Sequence, residues 1–166
     1  MVEFEILQSN EGTINGILPG TAYPRGTPLM ISAVNADTGQ RTFALADGKC
    51  DGFMTRASRT APVRTDTEVL FPDAALETPF LAGSDGTIET EVTELNVEGS
   101  TFIKGSSTGA ITSGTAAGTK LGFDAGKFYV AQTGELAQWE LVAQLTPETG
   151  GNTKIRVKRL SGYLVP

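Results

Sequence analysis

Turn-forming residues interrupt this chain at a nearly regular spacing, which constrains its fold more than any other feature. Apolar stretches alternate with turn-forming groups at about 8–12 residues, the spacing of short strands in a sandwich or barrel. These groups are Asp37–Gly39, Asp47–Gly48, Gly83–Gly86, Thr133–Gly134 and Thr149–Asn152. No segment keeps a helical period over three turns. We therefore predict an all-β fold, a compact antiparallel sandwich or barrel-like domain with loops rich in Gly and Thr.

The strand candidates lie between these turns. At the amino terminus, Val2, Phe4 and Ile6 alternate with glutamates, the period of a strand with one apolar face. The other strand candidates are residues 28–34, 40–46, 52–56, 68–71, 87–95, 101–104, 127–131, 138–145 and 153–160. Residues 72–77 form the best candidate for a helical turn, but six residues do not hold a helix alone.

Glycines and prolines between residues 10 and 26 predict an extended N-terminal arm, residues 1–25. A single β domain, residues 26–166, would follow it. Thr60-Ala61-Pro62 interrupts the strand pattern where the charge of the chain also changes. The domain is therefore expected either as one unit or as two packed lobes with a break near residues 60–66.

Composition excludes several classes of function. The chain has no His and a single cysteine, Cys50, so it lacks the commonest metal ligand, the usual general base and any intramolecular disulfide. We therefore expect no enzyme and no cofactor. With 13 basic and 19 acidic residues, the net charge of −6 argues against a nucleic-acid partner. No apolar run reaches about 18 residues, so we expect no membrane span. Met1–Glu5 lacks the basic start of a secretory signal, so synthesis in a reducing cytoplasm is expected.

Two short motifs resemble catalytic or metal-binding sequences. Gly105–Gly109 matches G-x-S-x-G, but a nucleophilic Ser107 would need a base, and the chain has no His. Asp47–Gly52 resembles part of a calcium loop, but Lys49 stands where the third ligand belongs and Ser58 where a bidentate Glu is needed. Both segments are better interpreted as loops. Cys50 has only Lys49 beside it to lower its pKa, so we predict a plain, partly buried side chain.

Charged residues are distributed unevenly along the chain. The stretch from Asp66 to Glu98 is acidic without a basic residue, whereas Lys154, Arg156 and Lys158 alternate with Ile155 and Val157. Glu89 and Glu91 would share one strand face, where paired carboxylates could bind a cation or act as acid and base, although a solvated edge strand is the preferred interpretation. The opposite signs favour head-to-tail contact between subunits, with the basic strand of one facing the acidic stretch of the next.

Aromatic residues gather in the last third of the chain. An exposed Trp139 or Tyr129 would provide the stacking platform of a carbohydrate-binding module. Trp139 shares a predicted strand face with Leu141, Ala143 and Leu145, so packing in the core is the preferred interpretation for Trp139. A carbohydrate-binding β module is nevertheless kept as an alternative function.

The chain resembles the small head-decoration, or cement, proteins of tailed bacteriophages. The likeness lies in Gly26–Ser32 leading a strand, in Asp51-Gly52-Phe53 at a turn, and in the Gly- and Thr-rich stretch from Gly99 to Gly122. Length, the lack of cysteine pairs and the Gly-rich N-terminal region are also similar. The resemblance covers most of the chain, but it identifies no functional residue.

The resemblance implies a structural virion protein that is made in the cytoplasm of the host bacterium and forms a homotrimer. It would lie on the outer capsid surface, where it binds and stabilises the lattice of the major capsid protein. Another virion position, in the neck or tail, stays open as an alternative. For subunit or capsid contacts, the residues themselves suggest the first strand, with Val2, Phe4 and Ile6, and the basic strand, with Lys154, Arg156 and Lys158. An extended N-terminal segment could add a strand to a capsid sheet through main-chain hydrogen bonds.

Overall fold

Eleven β-strands make up the regular structure of the described residues. The computed structural model describes residues 4–10, 12–20, 23–57, 85–148 and 152–166. This part of the chain contains no helix, and therefore none that is long and apolar enough to cross a membrane. The strands are β1 (Phe4–Ser9), β2 (Thr13–Ile17), β3 (Pro28–Val34), β4 (Arg41–Leu45), β5 (Gly52–Ala57), β6 (Asp85–Glu89), β7 (Val92–Glu98), β8 (Lys120–Asp124), β9 (Lys127–Val130), β10 (Leu136–Leu145) and β11 (Lys154–Leu164).

The strands form two structures, an open sheet and a barrel. The open sheet has six antiparallel strands in the order β1-β7-β11-β10-β8-β9. The other five strands close into a barrel in the order β2-β4-β3-β5-β6. Within the barrel only β2 and β4 run parallel, and they meet at the pair Ile17 and Thr42. The predicted all-β class, with a sandwich or barrel-like architecture, is confirmed.

The described N-terminal residues lie within both structures. Strand β1 pairs with β7 at one edge of the open sheet, and β2 pairs with β6 in the barrel. Strand β2 lies in the segment whose glycines had suggested an extended arm. Gly16 is needed there because a Cβ would lie 2.7 Å from the carbonyl oxygen of Arg41 and would overlap the ring of Phe43. The glycine thus permits close packing inside a strand.

Two predicted strands differ from the observed structure. The segment 87–95 is divided at Thr90 and Glu91 between β6 of the barrel and β7 of the open sheet. Residues 101–104 form a turn, in which the N–H groups of Phe102 and Ile103 donate to the carbonyl oxygen of Gly99 at 3.3 and 3.1 Å. The predicted strand at 68–71, the helical turn at 72–77 and the lobe break near 60–66 lie outside the described residues.

Two apolar clusters fill the interior of the part of the chain that the structure describes. The larger cluster joins the inner face of the open sheet to residues of the barrel, because Phe53 on β5 packs among Phe123, Phe128 and Trp139. The smaller cluster fills the barrel with Leu18, Leu29, Phe43, Met54 and Ile88. The Phe53 side chain is only 2% exposed. It therefore connects the barrel to the core of the open sheet.

Candidate functional site

The basic strand lies beside acidic strands of the same chain. Ile155 and Val157 are fully buried, as the alternation predicted, and the three cations occupy the opposite face of β11. Lys154 forms ion pairs with Glu98, at 3.9 Å, and with Glu148. Arg156 Nε lies 3.8 Å from a carboxylate oxygen of Glu94 and donates to Asn96 Oδ1 at 3.1 Å.

The row of charges continues across β10 and β8. Lys158 lies 3.2 Å from Glu140, and Lys120 on β8 also hydrogen-bonds that carboxylate. We call this surface the charged face. It comprises Glu94, Glu98, Lys120, Glu140, Lys154, Arg156 and Lys158. Each cation of the charged face thus has an acidic partner within the same chain. These ion pairs account for the cations at alternate positions of β11.

The charged face makes stability depend on pH. Hydrogen bonds from Lys120 and then from Lys158 lower the pKa of Glu140. A carboxyl group whose pKa is lower in the folded than in the unfolded chain stabilises the fold above its unfolded pKa, about 4.3. That stabilisation is lost as the pH falls through the folded pKa.

We therefore expect Glu140→Gln to lower the urea midpoint near neutral pH and to reduce its decline on acidification. The side-chain amide of the variant cannot ionise, so it makes no pH-dependent contribution to the free energy of unfolding. Urea unfolding followed from about pH 6 to about pH 3 measures both effects. An unchanged dependence of the midpoint on pH would show that Glu140 does not take part in it.

Two of the candidate contact residues of the first strand, Phe4 and Ile6, face the core. The Phe4 ring lies 5.5 Å from that of Phe53 and 5.7 Å from that of Phe102, measured between centroids. Ile6 is also partly buried and packs against the larger cluster. In the described chain, Phe4 and Ile6 therefore serve internal packing. Val2 lies outside the described residues.

Trp139 is part of the core. It is 3% exposed, and its ring contacts Phe53 and Phe128 edge-on, with centroids 5.4 and 5.8 Å apart. The expected packing role is confirmed, and Trp139 provides no exposed platform for a sugar. Tyr129 is only partly buried. Its hydroxyl donates to Glu135, and desolvation together with this hydrogen bond raises the pKa of Tyr129.

The calcium-like loop is held by other contacts. Asp51 Oδ2 accepts the N–H of Ile31 at 2.7 Å and lies 3.3 Å from Lys49 Nζ. Cys50 is 7% exposed, and burial raises the pKa of its thiol to about 12. Its thiol donates to the carbonyl oxygen of Gly52 at 3.2 Å. Among the described residues, no group of three or more His, Cys, Asp or Glu side chains could hold a metal ion.

The remaining candidate motifs are separated or exposed. Ser107 lies in an exposed loop with a φ of 64°. Glu89 belongs to β6, whereas Glu91 lies between β6 and β7 and is exposed. The two carboxylates therefore do not share one continuous strand, because the chain passes from the barrel to the open sheet between them.

A projecting hairpin is the first surface that the sequence analysis did not identify. Every residue from Ser32 to Arg41 is exposed, and Val34 is 59% exposed. We call this segment the β3–β4 tip. Its turn is held by Asn35, whose side-chain oxygen accepts the N–H groups of Asp37 and Thr38 at 2.9 and 3.0 Å. The tip therefore presents an apolar side chain on an internally hydrogen-bonded ribbon. Asn35 ahead of Asp37–Gly39 was the available signal, because such turns are typical of Asn.

The second surface lies where the start of β10 pairs with the end of β11. Leu136 and Leu164 are cross-strand partners, 48% and 67% exposed. We call them the leucine patch. Beside it is an open groove of about 580 Å³ that is lined by Glu91, Thr93, Leu136, Gln138, Arg159, Leu160, Ser161 and Gly162. Gly162 has a φ of 110°, and the strand register shifts between Ala137 and Trp139. This irregularity shapes the groove.

Comparison with known proteins leaves the family of the chain open: no family model matches it, no curated protein matches it and no solved structure matches it.

Proposed function

We propose that this chain is a structural virion protein of a tailed bacteriophage. In this proposal it binds the outer surface of the capsid as a homotrimer, contacts the major capsid protein and stabilises the lattice. It acts without catalysis and without a cofactor. The proposal starts from the resemblance to head-decoration proteins and places the capsid contact at the β3–β4 tip.

The observation that carries the proposal is the exposure of the tip. A ribbon that is exposed on every residue from Ser32 to Arg41 has the shape to enter a depression between capsid subunits. Asn35 N–H donates to the Gln40 carbonyl oxygen, and Gly39 N–H to that of Asn35, each at 2.8 Å. Such preorganisation reduces the entropy lost on binding.

The second argument is the separation of the two exposed surfaces. The tip ends at Arg41, the first residue of β4, whereas Asp47–Lys49 follows β4 and lines a groove together with Leu136. The tip and the leucine patch are therefore separated by the length of β4, about 16 Å at the rise of an extended strand. A protein that connects neighbouring subunits needs two separate contact surfaces on one rigid body.

Capsid binding can be tested with one substitution at the tip. Val34→Glu should weaken binding about tenfold or more, because it places a charge in an apolar contact and a tenfold loss needs only about 1.4 kcal/mol. The assay is co-sedimentation with capsids of its own phage from which this protein has been stripped. Leu7→Glu, at a side chain 39% exposed on β1, is the matched control and should bind like the parent.

The outcomes separate the proposal from its alternatives. A parent chain that does not bind stripped capsids would contradict the capsid role. A Val34→Glu variant that binds as tightly as the parent would show that the tip is not the contact. The number of copies in purified particles distinguishes lattice decoration, which needs many copies, from a neck or tail position, which needs few.

A further inference from the structure

The surroundings of the leucine patch differ from the charged face. On the charged face, acids and bases are paired across neighbouring strands. At the groove beside the patch, Arg159 donates to the carbonyl oxygen of Thr90 at 2.8 Å, and no carboxylate of the described residues lies within ion-pair distance of it. Glu91 lines the same groove and is exposed.

The groove is therefore balanced and self-complementary in charge, because its lining contains one acid, Glu91, and one base, Arg159. Leu136 belongs to the same lining, and Leu164 is its exposed cross-strand partner. On its other side Leu136 borders a second groove, which is lined by Asp47, Lys49 and Glu135. A chain with a net charge of −6 repels its own copies over most approaches. An apolar surface beside a groove with one charge of each sign is where two such chains can meet with the least repulsion.

We infer that the leucine patch and its groove are the self-association surface of this chain, and that the occupant is a second copy. Leu136 and Leu164 of neighbouring copies pack together, and Arg159 of one copy pairs with Glu91 of the next. A contact that joins different residues on the two sides can close into a ring when the rotation is right. The inference deepens the proposed function and rests on it for the role of the oligomer, since it assigns the surface that builds the trimer and leaves the β3–β4 tip to the capsid.

The experiment is sedimentation of the purified full chain over a range of concentrations, without capsids. The parent should associate. Leu136→Glu combined with Leu164→Glu should weaken association about 100-fold, because two central apolar contacts are replaced by like charges. Both leucines are exposed in the single chain, so the double variant should keep its circular dichroism spectrum and melting temperature. Leu7→Glu is the matched control, with an exposed apolar side chain changed in the same way, and should associate like the parent.

Charge reversal tests the specific pair. Glu91→Arg and Arg159→Glu should each weaken association, whereas the two together in one chain should restore it, because opposite charges then face each other again between copies. A general folding defect would not show this rescue. A double variant no better than either single variant would overturn the pairing of Arg159 with Glu91.

The result separates this inference from the proposed function. A parent chain that stays monomeric, or a leucine variant that associates like the parent, would overturn the inference. If that monomeric chain still binds stripped capsids, the capsid role in the proposed function stands without the homotrimer. If the parent associates through the patch but does not bind capsids, the inference stands and the capsid role fails.

Discussion

Replacing Lys154 with methionine is expected to destabilise the chain by about 3–5 kcal/mol, the cost of removing one partner of a buried ion pair. The Glu98 side chain is 1% exposed and that of Lys154 10% exposed. Without the ammonium of Lys154, the carboxylate of Glu98 would remain buried with less compensation. Urea unfolding at neutral pH measures the loss.

Two further variants make this expectation specific. Lys158→Met removes a cation whose side chain is 51% exposed, so it should cost no more than about 1 kcal/mol. Adding Glu98→Gln to Lys154→Met should recover part of the loss, because the buried charge is removed together with its partner. A Lys154→Met variant as stable as Lys158→Met would show that the pair is more hydrated than its burial indicates.

Phe53→Ala should have an effect of similar size, about 3–5 kcal/mol, because truncating a buried Phe leaves a cavity. Here the cavity would open between the barrel and the core of the open sheet, beside Trp139. We therefore expect the tryptophan emission of the folded variant to shift to longer wavelength. Urea unfolding and fluorescence measure the two effects.

Phe43→Ala provides the matched control. Phe43 is also 2% exposed, but it belongs to the smaller cluster inside the barrel. Its truncation should cost a comparable free energy of unfolding. The emission of folded Phe43→Ala should stay as in the parent. If both variants shift the emission equally, the two clusters respond as one core.

Local sequence patterns were sufficient to predict a strand where that strand has one buried face or clear turns at its ends. Strand β3 spans the predicted residues 28–34, and Ile155 and Val157 on β11 point inward as their alternation indicated. Strand β8 was missed because Leu121, Gly122 and Phe123 are all buried, so the alternation of exposed and buried residues is absent. A glycine in such a run suggests a loop when the sequence alone is considered.

The pairing of distant strands could not be obtained from local patterns. In the sequence, the acidic stretch and the basic strand are far apart. Their opposite signs were therefore interpreted as attraction between subunits. In the structure, Glu98 on β7 lies opposite Lys154 on β11, and Glu94 opposite Lys158, within one chain. The leucine patch was missed for the same reason, since it depends on the register that sets Leu136 opposite Leu164.

The position of β1 has a consequence for synthesis on the ribosome. Its partner β7 is encoded after all the barrel strands, so the nascent chain must hold residues 4–9 without their sheet neighbour until residues 92–98 have emerged. Pairing then closes a long loop, which is entropically costly and tends to occur late. The barrel can therefore form while β1 still lacks its partner. Once β7 has emerged, its other edge stays open to other extended chains until β11, the last strand, has been made. A slower passage of the ribosome through the last third of the message would lengthen the interval and increase aggregation during expression.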